Sequence, residues 1–539
     1  MKRLIITIAV TAMTLLSTHA QEVIDIQYNG NTAKVSIPTA IGDVTSKVEG
    51  ANVTLTSATT SDEYIYRVRG KSTNGSLTIK GSYKLTLQLA GVELTNQHYG
   101  AAIDIDCGKR IAVVLEEGTV NRLADSPGGT HKGAIHFKGH PEFEGGGTLF
   151  VTGKTKHAID AKEYLEIKAS TGTINILGAV SDGIHCGKGN PSNEHNYFLM
   201  KGGIVNIQDV GSDGIDSDDY GVIRIEGGSI SANVGDGGTG LKADSLILIN
   251  GGRVSIAVTG DDSEGLCARY ATTISGGKTD IVVSGNGSKG IKGKQVTESA
   301  GTVKNGGFVT VNGGEINIQV TGGNLNKETD GGIDVDKCMG MSVDADFEHT
   351  SGTLSLTALG MEAHTYNVKG SEHRTGGTFE EVKAPWSMDT FSYQYDMSAY
   401  IAVTKDNQPL TDYKPVAVGA FIDGKCAGYA VFQDNQYGVM RIRSNSATDS
   451  KAVTFKLYDY NKEKEYDLTP EKAVTYADAT CVGTPSTPLN LNYSADQDMV
   501  SIEKVKAAHS TAPRKLLVGN SIRILIDQHE YDTNGREQR

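Results

Sequence analysis

The sequence predicts an all-β chain dominated by a right-handed parallel β-helix, and three observations carry that prediction. A short unit of Gly or Ala, an aliphatic residue and a polar residue recurs as "AAIDID", "GAIHFK", "HAIDAK", "DGIHCG", "DGIDSD", "TGLKAD", "EGLCAR", "KGIKGK" and "GGIDVD". From Ile135 its anchors step by 24, 25, 31, 26, 25, 25 and 42 residues, through Ile159, Ile184, Ile215, Leu241, Leu266, Ile291 and Ile333. A second unit, Gly followed by alternating aliphatics, keeps the same beat at Gly147, Gly172, Gly203, Gly228, Gly252, Gly277, Gly314 and Gly352. Finally, Gly supplies 66 of 539 residues and Pro only 11, which suits many tight corners between short strands.

Each repeat of about 25 residues holds three short strands, the third exemplified by "YLEIKA", "GVIRIEGG" and "SLILINGG". One such coil cannot bury its own apolar side. Stacked at about 4.8 Å, coils form parallel sheets around a continuous core. Propeller blades need about 40–50 residues, and the leucine-rich frame is missing, so neither rival fits. The two long steps contain insertions, "KGNPSNEHNYF" and "GKQVTESAGTVKNGG".

The remaining elements follow in order. "MKRLIITIAVTAMTLLSTHA" has a charged start, an apolar run and a small-residue end, so residues 1–20 read as a secretory signal, with Gln21 first in the mature chain. The β-helix domain is assigned to 21–375, its coils filling about 50–375, and a linker to 376–386. From 387 to 493 the strands alternate between Asp, Asn and Gly turns, which predicts a small antiparallel β-sandwich. A polar linker covers 494–512, and a short β tail, "RKLLVGNSIRILIDQHEYDTNGREQR", covers 513–539. No later stretch is apolar for long enough to span a membrane. The six Cys are too sparse for a disulfide framework; Cys426 and Cys481 share a segment and could pair, while Cys186 and Cys267 read as buried or lone thiols. A net charge of −13 speaks against a nucleic-acid partner.

Side chains alternate along a strand. With each anchor inward, the next residues form an outward column: Asp160, His185, Asp216, Lys242, Cys267, Lys292 and Asp334. Small residues then point in, namely Ala161, Cys186, Ser217, Ala243, Ala268, Gly293 and Val335. A second outward column follows: Lys162, Gly187, Asp218, Asp244, Arg269, Lys294 and Asp336. Asp182 and Asp213, two residues before their anchors, bring more acid to the same face. Carboxylates this close repel unless a cation sits between them or one is protonated. Ca²⁺ takes six to eight oxygen ligands and suits carboxylates with turn carbonyls. Asp182, Asp213, Asp216, Asp218 and Asp244 are therefore candidate calcium ligands. The plain alternative is that Asp-Gly is turn chemistry and the acids are merely solvated. Neither an EF-hand loop nor the calcium-binding nonapeptide frame is present.

These serial units, with "AAIDIDCGKRIAVVLEEGTVNRLAD" and "GAIHFKG", resemble a family of exported bacterial carbohydrate-binding β-helix proteins over residues 45–370. The resemblance implies a fold like that of pectate-type polysaccharide lyases, and binding of calcium and acidic, galacturonan-like polysaccharide. Asp182, Asp213, Asp216, Lys242 and Lys292 match the family's Asp-Gly-Ile-charged unit. Thr239, Glu264, Lys289 and Cys267 depart from it, which favours one or a few metal sites over a repeated one.

An acidic protein that binds an acidic polymer needs cations between them. Bound Ca²⁺ would bridge carboxylates, and His185, Lys242, Arg269, Lys289, Lys292 and Lys294 are the candidate ligand-binding side chains. The single Trp, Trp386, lies outside the coils, so a flat aromatic platform is not expected. A lyase would instead need a Lys base, Lys292 or Lys242. Lys242 is one rung from Asp216 and stays charged. Lys292 is three rungs away, roughly 14 Å at the sheet spacing, which favours binding over cleavage. A third class is a structural or adhesive surface rod with no glycan ligand. "VGAFIDGKCAGYA" and "TFKLYDYNKEKEYDL" resemble sandwich modules of exported proteins in bacteria with type IX secretion. The tail resembles the sorting signal of that machinery. Together these imply a secreted protein, or one attached to the outer-membrane surface.

Overall fold

The computed structural model describes residues 22–538 except 188–195, 298–303, 330, 361, 387, 389–392, 414–415, 434–436, 449, 499–513, 519–520, 527–528 and 532–536. The leader at 1–20 and most of the 494–512 linker lie outside the described residues. The chain divides into two compact units, Met1–Lys383 and Ala384–Arg539. Among the described residues no helix is long and apolar enough to cross a membrane.

The first unit is all-β and coiled in parallel, a β-helix-like fold. One sheet of 13 strands runs from Val44–Glu49 to His364–Val368, each strand pairing with the coil before and after it. Only its first pair, Val44–Glu49 with Asn52–Ser57, is antiparallel. A 21-stranded sheet forms the other sides of the coils. The anchors stack in register: Ile103, Ile135, Ile159, Ile184, Ile215, Leu241, Leu266 and Ile291. All of them are buried in one continuous core. Each such side chain contributes about 1.5–3 kcal/mol of burial. Corners are made by glycines in the left-handed region, at φ 73° in Gly203, 79° in Gly228, 73° in Gly252 and 73° in Gly277. Most residues with a Cβ take that backbone shape only at a steric cost that glycine avoids.

Two expectations are corrected here. "GGIDVD" is not a rung. Gly332–Asp336 pairs antiparallel with Leu325–Thr329 as a hairpin off the coil, and Ile333 is 67% exposed. The strand after Lys289–Gly293 is Met339–Val343, so Met341 takes the anchor place, Ser342 that of Asp334 and Val343 that of Val335. The 42-residue step held an excursion whose own alternation imitates a coil. The coils also run past residue 375: Thr378–Val382 pairs in parallel with Phe347–Ala358, within the stretch read as a linker.

In the second unit the strands are mostly antiparallel around their own core. Lys425–Gln433 and Lys464–Pro470 each pair one neighbour with their first half and another with their second. A parallel pair, Tyr395–Lys405 with Leu489–Tyr493, closes the path, so the strands form a ring rather than two separate sheets. Arg514–Val518, Ser521–Ile526, His529–Tyr531 and Glu537–Gln538 form a separate antiparallel four-stranded sheet.

All six cysteines are free thiols, Cys426 and Cys481 included. Cys481 is exposed and the other five are buried. A thiol reagent should therefore label one site in the native protein and six in denaturant. A chain that stays cross-linked under non-reducing conditions would contradict this.

Candidate functional site

The polar face lies on the 13-stranded sheet. Register pairs build its outward column: Asp104, His136, Asp160, His185, Asp216, Lys242, Cys267, Lys292 and then Ser342. A second column sits three residues earlier in each coil, with His157, Asp182, Asp213, Thr239, Glu264 and Lys289. The small residue between them, Ala158 in the first coil and glycine in the others, faces the core. A Cβ on Gly240 would lie 2.8 Å from Ile256 Cγ2, and one on Gly265 3.0 Å from Ile281 Cγ2. The residues on either side of that inward pair can then converge on one outer face. A third column follows the strands: Lys162, Gly187, Asp218, Asp244, Arg269, Lys294 and then Asp344, which holds the place expected of Asp336.

The face is a ladder of alternating charge. Asp160 is buried between two imidazoles, with His136 Nδ1 at 2.7 Å and His185 Nδ1 at 2.8 Å. Burial alone would raise the Asp160 carboxyl, but the two histidine hydrogen bonds outweigh it and hold it well below the usual range. Burial pulls the other way on His185, yet its bonds to Asp160 and Asp218 carry it up to about 9. His157 stacks on His185 with ring centroids 4.3 Å apart. Burial lowers its pKa. Its Nδ1 meets Asp182 Oδ2 at 2.9 Å, while its buried Nε2 has no partner, which suits a neutral ring.

The predicted acids sort into different company. Asp182 and Asp213 are buried; Lys242 Nζ lies 2.7 Å from Asp213 Oδ2, and the Thr239 N–H donates to Asp213 Oδ1 at 2.8 Å. Asp216 is also buried, 3.5 Å from Lys242 Nζ, and its Oδ1 accepts no hydrogen bond. Burial, together with Asp218, Asp213 and Asp182, pushes the Asp216 carboxyl up to about 7 against the pull of Lys242. Repulsion among these acids is thus relieved mostly by resident cations, and Asp216 is left as the ill-satisfied member. Asp218 is half-exposed, with Oδ2 3.4 Å from His185 Nε2. Asp244 is drawn away to Arg269 at 3.2 Å and stands apart from the cluster.

The basic candidates are likewise divided. Lys289 is buried and committed to Asp336 and the Gly287 carbonyl, so it adds no open positive charge. Lys292 and Lys294 carry no ion pair among the described residues. Lys242 is held protonated: burial is overcome by Asp213 and Asp216, which raise its pKa. That removes it as a proton acceptor for a lyase step.

Two groups bring metal-ligating atoms within 4.8 Å of one another: Asp182, His185 and Asp216, and His157, Asp160 and His185. The Asp216 Oδ1 that accepts no hydrogen bond faces Lys242 Nζ at 3.5 Å. His136, His157, Asp160 and Asp104 extend the site toward the N-terminus; Asp160 heads the outward column read from sequence, and the other three are not singled out there. Their signal was available, since "GAIH" and "HAID" occupy the same repeat positions as "DGID".

The first unit thus combines a parallel-coiled fold with a polar, hydrogen-bonded face on its 13-stranded sheet. Residues 49–339 match the model of a family described as carbohydrate-binding domain-containing protein, and the chain belongs to that family. A solved structure described as the polysaccharide lyase-like protein from C. thermocellum, a gadolinium derivative, is similar at 16% identity over 66% of this chain and 96% of that one, with a TM-score of 0.24. No curated protein matches the chain.

Proposed function

We propose that this protein binds an acidic, galacturonan-like polysaccharide along the charged face of its 13-stranded sheet, in a calcium-dependent manner. The observation that carries the reading is the buried Asp216 Oδ1, which accepts no hydrogen bond, has Lys242 Nζ only at 3.5 Å, and feels the charges of Asp218, Asp213 and Asp182. Ca²⁺ prefers oxygen ligands and would keep Asp216 ionised. In this reading Asp216, Asp182 and Asp218 hold the ion, and carboxylates of the polymer complete its shell. Asp213 stays with Lys242, and Asp244 with Arg269. Lys292 and Lys294 offer direct positive charge farther along. The coils enter the proposal as right-handed, the sense parallel crossovers nearly always take. The leader and the sorting-signal-like tail place the protein, in the same proposal, outside the cell and attached at its outer surface.

The test is calorimetric titration of the mature protein with polygalacturonate, with and without Ca²⁺, reading the absorbance of unsaturated uronate in the same samples. Calcium-dependent heat without new absorbance is expected. Asp216→Ala should weaken the calcium-dependent binding by about tenfold or more, as expected for a lost charged contact. Growing absorbance would make the protein a lyase. No heat in either buffer would leave a ligand-free rod.

A further inference from the structure

Two to three coils toward the N-terminus from the acid cluster, a pocket of about 350 Å³ opens on the same face. It is lined by Asp104, His131, Lys132, His136 and Lys162, along with smaller uncharged residues. Neither Lys132 nor Lys162 has an ion-pair partner among the described residues. In a chain of net charge −13, where Lys242, Arg269 and Lys289 on this face are already paired, two unpaired ammonium groups in one pocket supply open positive charge, as Lys292 and Lys294 do farther along. His136 donates or shares its Nδ1 proton with Asp160, which fixes the ring and leaves Nε2 without a hydrogen bond. Asp104 sits one rung from His136 and is half-buried, and its carboxylate makes no hydrogen bond among the described residues.

The rim adds an apolar surface. Tyr99, next to the lining residue Gly100, is 66% exposed and has φ 60°, an uncommon conformation for a bulky residue. Its carbonyl is tied to His131 Nδ1 at 3.1 Å. Its ring lies against Gly128, where a Cβ would come within 3.3 Å. A turn that holds a large ring in water at such a backbone angle needs a reason, and a sugar's C–H face is a suitable occupant.

We infer that this pocket is a metal-independent subsite for one carboxylated sugar unit, with Lys132 and Lys162 taking the carboxylate, Asp104 and His136 the hydroxyls, and Tyr99 the apolar face of the ring. The inference rests on the carbohydrate-binding reading and extends it to a second point of contact with different chemistry. The acid cluster needs a cation between protein and polymer. This pocket supplies the positive charge itself.

The experiment uses the full mature chain, trigalacturonate and its methyl-esterified form, titrated in EDTA. Trigalacturonate should bind and the ester should bind at least about tenfold more weakly, since it lacks the charge. The double variant Lys132→Ala/Lys162→Ala should lose about tenfold or more, and Lys162→Gln a smaller part, with unchanged urea midpoints. No binding in EDTA, equal binding of the ester, or an unaffected double variant would each overturn the subsite. If polygalacturonate still bound in Ca²⁺ under those outcomes, the proposed function would stand without it. If neither ligand bound in either buffer, both readings would fail.

Discussion

Asp160→Ala is expected to lower the unfolding free energy by about 3–5 kcal/mol, the usual cost of breaking a buried pair by removing one partner. Asp160 is 1% exposed and accepts from two histidines, so its loss leaves the buried His185 N–H and the partly buried His136 N–H without an acceptor. Asp160→Asn keeps the shape and one acceptor, and should cost less. Urea melts of the three proteins at neutral pH would measure the difference. A midpoint for Asp160→Ala within error of the parent would mean that the ladder contributes nothing to stability.

The pH dependence gives the same ladder a signature. His185 has its pKa raised from 6.5 to about 9, so its contribution is complete below pH 6.5 and fades as pH rises through 9. Asp160 is lowered, so its contribution is complete above 3.8 and is lost only as pH falls below that. His157 works in the opposite sense to His185. Burial lowers its pKa, and folding grows less favourable as pH drops below 6.5. These three groups alone would place greatest stability near pH 6–7, and Asp216, raised from 3.8 to about 7, moves it to lower pH because its burial penalty grows as pH rises across that range. Asp160→Ala should lose most of the decline between pH 6.5 and 9, because His185 no longer gains from its carboxylate.

The second large effect lies at a corner. In Gly285→Ala the new Cβ would stand 1.7 Å from the Gly260 carbonyl oxygen and 2.4 Å from its carbon. Backbone of a neighbouring coil cannot rotate aside as a side chain can, so the coils must part. Overpacking a close-packed interior costs about 1–3 kcal/mol, and this site should sit at or beyond the upper end. The control is Gly235→Ala, where the nearest atom to an added Cβ is 4.0 Å away. Its stability should match the parent. Equal melts for the two variants would show that the corner yields more easily than its geometry implies.

Much of this was legible in the sequence because the fold repeats. Aliphatic anchors at a fixed step and glycines at the corners are local signals, and in a stack of coils local signals set the long-range register. That is why Asp216, Lys242 and Lys292 could be placed on successive rungs. The reading failed where repetition was imitated. "GGIDVD" has the alternation of a rung, but its neighbour in space is Leu325–Thr329, and pairing within an excursion leaves no trace in the period. It also failed on the partners of charges. That Lys289 would turn to Asp336, or Arg269 to Asp244, depends on side-chain reach rather than on spacing. The roles of His136 and His157 were missed because attention went to acids, although the repulsion among acids implied that something basic stood nearby.

The stacked coils carry one more consequence. Each strand of the 13-stranded sheet bonds only to the strands of the coils before and after it. The unit is thus a one-dimensional chain of interfaces, and among the described residues no strand pairing ties its first coil to its last. Damage has a position: a disrupted corner at Gly285 severs two blocks that each keep their own interfaces, whereas the same disruption in the last coil only frays an end. Denaturation of such a molecule need not be a single event. The weakest interface, rather than the sum of all of them, sets where the rod first opens.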